Sequence, residues 1–393
     1  MSHYAGANKP EKESLQLSKD LVAMHEGELG AGTMVCEEKN TPAFAHVLAR
    51  GEYGSRGKRV YARTPEFLPT PPDGSPMNRL GLADWVVMKD NPLTARVFVN
   101  RAWQEVFGKG IVESSEDLGI VGSRPSHPEL LDYLAADFRD GDDEKSAWKM
   151  KRLYRKLVMS MTYRQSASIN AGAQQSDPDN LLYARGPRFR MDAEVVRDTA
   201  LQTAGLLNRK KIGGPSFMGY QPPGIWKDSY PSNTHIYNQH KGDIIYRRSV
   251  YQFIKRTAIH PQLNIFDATD RLISCARRTR TNTPLAALNT LNDVTFLEAA
   301  RILANNTVGH SNDTHTRLNF IAMHAWGRTL ETDELKPLES RIKELRQLIS
   351  SEDAAKLLKQ GDSPQPENLD PIECATWMCV ANLMLNSDEF INQ

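Results

Sequence analysis

Apolar residues at helical spacing recur along most of this chain, and the elements they predict are mainly α-helical. A helix is expected over 80–88 and another over 92–107. In the second, Leu93, Val97, Asn100, Trp103 and Phe107 fall on one stripe, and Gly108 stands where a helix stops. Arg96 and Asn100, four apart beside that stripe, read as a half-buried polar pair. Ser126, with Pro128 and Glu129 after it, reads as a capping box opening a third helix through Leu130, Leu131, Leu134 and Phe138. Residues 146–161 predict an amphipathic helix with a solvated basic face. Residues 191–207 predict a helix carrying Ala193, Val196, Ala200, Ala204 and Leu207. Further helices are expected over 284–305, 315–326 and 332–348. Asp370-Pro371-Ile372-Glu373 reads as the cap, first turn and reciprocal acid of a last helix ending near Asn386.

Elsewhere the period changes or fails. A short helix is expected over 14–24 and a strand over 45–50, and a proline cluster over 69–76 marks a boundary. That divides the chain into an N-terminal extension, 1–76, and a helical domain, 77–393. Residues 212–246 are rich in Gly, Pro, Asn and aromatics without a sustained period, which suits a binding surface more than disorder. Residues 246–255 alternate as a strand would, and 361–366 form a charged loop. The expected fold is a mainly α, multi-helix globular domain with a few short strands and long irregular Gly/Pro/aromatic-rich loops.

Composition excludes several classes. With 393 residues, 40% hydrophobic and 25% charged, the chain is an ordinary globular one. No run reaches the ~20 apolar residues of a membrane span. Residues 1–20 are polar and lack the apolar core of a signal peptide. Cys36, Cys275, Cys374 and Cys379 show no metal or haem spacing, so no metal or cofactor is expected, and Cys374 and Cys379 read as separate thiols. Residues 185–280 hold 17 Lys and Arg against 7 Asp and Glu, a net of +10, while the remainder holds 32 against 41, or −9. Internal pairing accounts for most of those arginines, and the near-neutral total disfavours nucleic acid.

The best-marked element follows Arg277, Arg278 and Arg280. Thr283 is a good N-cap and Pro284 suits the first helical position, so the arginines are held at a fixed place. With this run go Asn91-Pro92-Leu93-Thr94-Ala95-Arg96-Val97, Ser126-His127-Pro128-Glu129, Met191-Asp192-Ala193-Glu194, Gly213-Gly214-Pro215-Ser216, Tyr246-Arg247-Arg248-Ser249 and Leu385-Asn386-Ser387-Asp388-Glu389-Phe390. The ordered series, over roughly 35–391, resembles the DUF1553 (PSD1) family of Planctomycetes and related bacteria. That resemblance implies the C-terminal part of a longer extracytoplasmic (periplasmic) protein. Its implied partners are a DUF1549 domain and a sulfatase-like DUF1501 protein. The chain departs from the family pattern at Glu105, where a histidine is common, at Leu272 and Ser274, where an acid and a cysteine are, and at Val294, where proline is common.

Two functional classes follow, with a third beside them. As a binding or docking module of a polysaccharide-processing or redox assembly, the chain would hold sulfate or carboxylate groups of an anionic glycan. Arg247, Arg248, Arg278 and Arg280 would grip the anion, with Tyr220 and Trp226, and beside them Tyr230 and Tyr237, stacking on sugar rings. As a hydrolase or lyase on such glycans, it would use Asp267 and Asp270, near His260 and Arg271, as acid, base and charge stabiliser. The third class is a structural partner of the DUF1549 domain, to be marked by an exposed apolar patch around residues 45–50.

Overall fold

The computed structural model describes residue 37 and residues 44–143, 145–168, 171–226 and 237–392. The helix expected over 14–24 and Tyr230 lie outside these. Among the described residues there are fourteen α-helices and a single two-stranded sheet, a mainly α fold. The described residues up to Arg188 form one compact unit and those from Phe189 onward another. The expected boundary near residue 76 falls inside the first unit.

The first unit opens with an antiparallel hairpin, β1 (Phe44–Leu48) and β2 (Arg56–Tyr61), in which Phe44 faces Tyr61 and His46 faces Arg59. The predicted strand is shifted: Ala49–Gly51 close a 3-10 turn instead. Then come α1 (Arg79–Val87), α2 (Thr94–Phe107), α3 (Pro128–Asp140), α4 (Met150–Val158) and α5 (Ala171–Ser176). Val99, Trp103 and Phe107 of α2, Leu134 and Phe138 of α3, and Leu153 and Leu157 of α4 bury one apolar cluster. Trp103 stacks on Phe107 at 4.1 Å and meets Tyr183 edge-on at 5.1 Å.

Polar side chains settle differently from the pattern. Arg96 and Asn100 do not pair. Arg96 reaches Asp132 at 2.6 Å, whereas Asn100 accepts from Val112 N at 2.8 Å and donates to Val112 O and Ser115 Oγ, both at 3.0 Å. The loop after α2 is thereby tied to the helix, and Gly110 is needed there: a Cβ would come within 2.5 Å of Val112 O and 2.8 Å of Asn100 Nδ2. No capping box forms at α3, because Ser126 turns its hydroxyl to Ile111 O, 3.3 Å away, and His127 takes the cap position. The helix predicted over 146–161 shortens to α4; Trp148, at φ +56°, cannot sit within it.

The second unit contains α6 (Ala193–Thr203), α7 (Pro261–Ile265), α8 (Pro284–Asn292), α9 (Val294–His310), α10 (Thr314–Ala325), α11 (Thr332–Leu348), α12 (Ser351–Leu357), α13 (Pro371–Leu385) and α14 (Asp388–Ile391). Helices α9 and α13 form its centre. Both are apolar on most sides, and Ala299, Ala300 and Ala304 let α9 approach Ala375, Trp377 and Ala381 of α13 closely. The helix expected over 284–305 is two. Asp293 adopts an extended backbone, and its carboxylate accepts from Thr295 N at 2.9 Å, so it ends α8 and caps α9. Val294 is the first residue of α9. Asp370 caps α13 as expected, but Glu373 does not reciprocate; it pairs with Arg317 at 2.8 Å and Arg346 at 2.5 Å.

No strand runs over 246–255. Gly242–Tyr246 and Ser249–Tyr251 are 3-10 turns, and the segment's strand-like pairing is limited to isolated bridges, such as Phe217 with Gln252. Asp198 bonds Ser249 N at 2.8 Å and its hydroxyl at 2.6 Å, giving those groups a side-chain partner in place of a strand.

Candidate functional site

The start of α6 and the segment leading into α8 meet in a cluster of arginines and carboxylates. Thr283 caps α8 by accepting from Ala286 N at 3.4 Å, and Pro284 begins it, so the preceding arginines approach α6 from a fixed anchor. Arg278 donates to Glu194 at 2.5 and 3.2 Å, a two-pronged bond. Arg280 lies 3.5 Å from Asp192 and its guanidinium sits 4.3 Å over the Phe189 ring. Arg271 reaches Glu194 only at 3.5 Å and is 51% exposed. Arg190, nearly buried, pairs with Asp267, which also accepts from Thr281 N at 2.8 Å and Thr281 Oγ1 at 2.9 Å. Asp267 and Arg271 both take left-handed φ, +58° and +61°, so the turn between them is sharply folded.

Burial opposes the charge on Glu194. The Arg278 bond and the Arg278 and Arg271 charges outweigh it, so its pKa lies below the ordinary carboxylate value. For Arg190 burial wins: it lowers the pKa, against the pull of Asp267 and Asp192. Arg280 adds to that lowering through its own charge, which links the two halves of the cluster. Among the described residues, the guanidinium groups of Arg190, Arg271, Arg278 and Arg280 thus meet the carboxylates of Asp192, Glu194 and Asp267.

The other predicted residues go elsewhere. Arg247 is fully buried and donates to the carbonyls of Gly213 and Pro215. Arg248 lies beside the Tyr251 ring, 5.8 Å from its centroid. Tyr220 donates to Glu298 Oε2 at 2.8 Å, and burial together with the Glu298 charge pushes its pKa far up. Trp226 packs edge-on against Tyr237 at 5.1 Å and under Lys255 at 4.3 Å. Tyr237 donates to Gly219 O at 2.6 Å. These aromatics pin the irregular segment down.

The three acid–base candidates are not brought together. His260 is buried, with Nε2 2.6 Å from Tyr220 O, and burial lowers its pKa below the usual histidine value. Asp267 belongs to the arginine cluster. Asp270 is exposed and accepts from Leu272 N at 3.0 Å. No group of three or more His, Cys, Asp or Glu residues is placed to hold a metal among the described residues, and no helix there is long and apolar enough to cross a membrane. Cys275, Cys374 and Cys379 are free thiols. An open depression between α3 and α4, lined by Leu130, Tyr133, Leu134, Arg155 and Lys156, includes none of the predicted site residues.

Sequence reasoning missed a second charged centre. Glu298, fully buried, accepts from Tyr220, from Tyr246 at 2.7 Å and from Ser363 N at 2.7 Å, with Arg301 at 3.6 Å. Arg301 in turn donates to Gln360 O at 2.9 Å and Ser363 O at 2.7 Å. At Gly361, φ +85°, a Cβ would run into the Glu298 side chain. The spacing of Glu298 and Arg301, three apart within an otherwise apolar helix, was the available signal. It also missed Arg190 and the inward course of Arg197. Arg197 donates to Ile245 O at 2.5 Å and Arg247 O at 3.1 Å and lies 3.5 Å from Asp198.

No curated protein and no solved structure matches the chain. Residues 78–342 match the family model described as PSD1, protein of unknown function (DUF1553). That match takes in α2, α6 and α8, the elements that carry the motif series and two of the cluster's walls. The chain therefore belongs to the PSD1 family (DUF1553).

Proposed function

We infer that the chain is a binding module whose arginine cluster takes sulfate or carboxylate groups of a polysaccharide. The reading rests on one observation: Arg271, beside the cluster of Asp192, Glu194 and Asp267, is half exposed and held by Glu194 only at 3.5 Å. A ligand anion meets that guanidinium through its paired N–H donors, beside arginines fixed by α6 and the α8 cap. Turnover is disfavoured because His260, Asp267 and Asp270 each bond elsewhere and share no cleft. The resemblance to exported family members supports an extracytoplasmic polysaccharide-processing or redox assembly as the setting. A DUF1549 domain or a DUF1501 protein is the neighbour it suggests.

Calorimetric titration with a sulfated, a uronic and a neutral hexasaccharide tests the reading. Binding to the two anionic sugars alone is expected, weakened about tenfold in Arg271→Ala, the loss of one charge-assisted bond. Absence of heat with every sugar, or affinity indifferent to Arg271→Ala, would sink it.

A further inference from the structure

Two strands do not make a stable sheet in water by themselves; independent stability takes a third strand or a packed face. Among the described residues the β1–β2 hairpin has neither. β2 pairs with β1 alone, all six of its residues are exposed, and no hairpin residue belongs to any of the apolar clusters. Phe44, Val47 and Tyr61 are each more than half exposed. The outer edge of β2 thus presents backbone N–H and C=O groups with no ladder partner among the described residues.

Charge decides what that edge accepts. Arg56, Lys58 and Arg59 make up half of β2, and no acid stands among its residues. Arg59 sits 4.2 Å over the Phe44 ring and Arg56 5.5 Å over the Tyr53 ring, so both are carried on the hairpin's own aromatics. Side chains alternate along a strand, which puts Arg59 on one face of the hairpin and Lys58 on the other. A third strand therefore meets a cation on each side at the same point. A second copy of this edge would set like charges opposite one another and is disfavoured.

We propose that β2 is the docking edge for an extended acidic segment of a partner polypeptide, which adds a third strand by main-chain hydrogen bonds and sets carboxylates opposite Arg56, Lys58 and Arg59. The proposal is independent of the arginine cluster and of glycan binding.

The test is fluorescence anisotropy of the full chain with a labelled, capped peptide, Thr-Val-Thr-Val-Glu-Glu-Thr-Glu-Thr-Val, and with its counterpart carrying lysine for glutamate. The acidic peptide is expected to bind about tenfold tighter, from three facing charge pairs, with the advantage shrinking as salt rises. A proline at its centre, which removes a ladder donor, abolishes binding. Lys58→Glu with Arg59→Glu reverses the preference toward the lysine peptide. If that pair fails to fold, Lys58→Gln with Arg59→Gln equalises the two peptides instead. Amide exchange is expected to slow at residues 56–61 on addition of the acidic peptide. Equal binding by both peptides, undiminished binding of the proline peptide, or protection confined to other segments overturns the proposal. So does a dimer in sedimentation that the acidic peptide leaves intact, which would give the edge to a second copy.

Discussion

Arg247 and Arg301, in the unit from Phe189 onward, are fully buried and bonded to carbonyl oxygens, whereas Lys58 and Arg59, in the preceding unit, lie exposed on a two-stranded hairpin. The difference follows from how each region satisfies its backbone. The second unit covers its helices with long irregular segments, 206–226 and 358–366, whose carbonyls have no helical partner. A guanidinium, with five fixed donors, satisfies several such carbonyls at once: Arg247 serves Gly213 and Pro215, Arg197 serves Ile245 and Arg247, and Arg301 serves Gln360 and Ser363. The first unit needs less of this, since Asn100 and Ser115 tie its main loop. Arg152 still serves Asp137 O at 2.9 Å and Arg185 serves Asp177 O at 3.0 Å there, while the hairpin's Lys58 and Arg59 stay exposed. Positive charge at these arginines is a fastening for the chain, and on the hairpin it is a surface feature.

Substitutions ranked by size test that contrast. Arg301→Ala leaves Glu298 buried beside two tyrosines without its cation and is expected to cost about 3–5 kcal/mol in urea unfolding. A loss below about 1 kcal/mol would mean that Arg301 is not a fastening. Arg247→Ala strips two carbonyls of their donor at an estimated cost of about 1–3 kcal/mol, with faster amide exchange around 213–217 as its local signature. Glu334→Gln removes a partner of Arg328 that is about one-third exposed, so the loss at neutral pH stays under ~1 kcal/mol. The Arg328 bond holds the Glu334 pKa at about 2, below its ordinary 4.5. Its contribution is therefore present above pH 4.5 and lost as pH falls through about 2, and the difference between wild type and variant in acid titration should close over that window. Arg155→Gln, at an exposed position of α4, should move stability by no more than ~0.5 kcal/mol. A large effect there would erase the distinction between fastening and surface cations.

Much of the helical frame was legible because caps and periodicity agree locally: Thr332–Leu348 and the Thr283–Pro284 start stand where the pattern put them. What the pattern could not carry was tertiary choice. The alternation over 246–255 looks like a strand, but with no strand beside it the segment folds into 3-10 turns around Arg247 and Ser249. Asp293 was hidden within one apolar run although it caps a second helix. The arginine cluster was half visible: Arg278 and Arg280 stood out, while Arg190 and the pairing to Asp192 and Glu194 depend on approaches of 77 residues or more along the chain. The presented hairpin was the least visible, since the sequence placed one strand there and not its basic partner.

The most direct measurement on the binding reading is titration of the intact chain with a sulfated hexasaccharide, followed by chromatography of the recovered sugar. The account predicts saturable binding, about tenfold weaker in Arg271→Ala, with the hexasaccharide recovered whole. Shorter or unsaturated products that disappear in Asp267→Asn would contradict it.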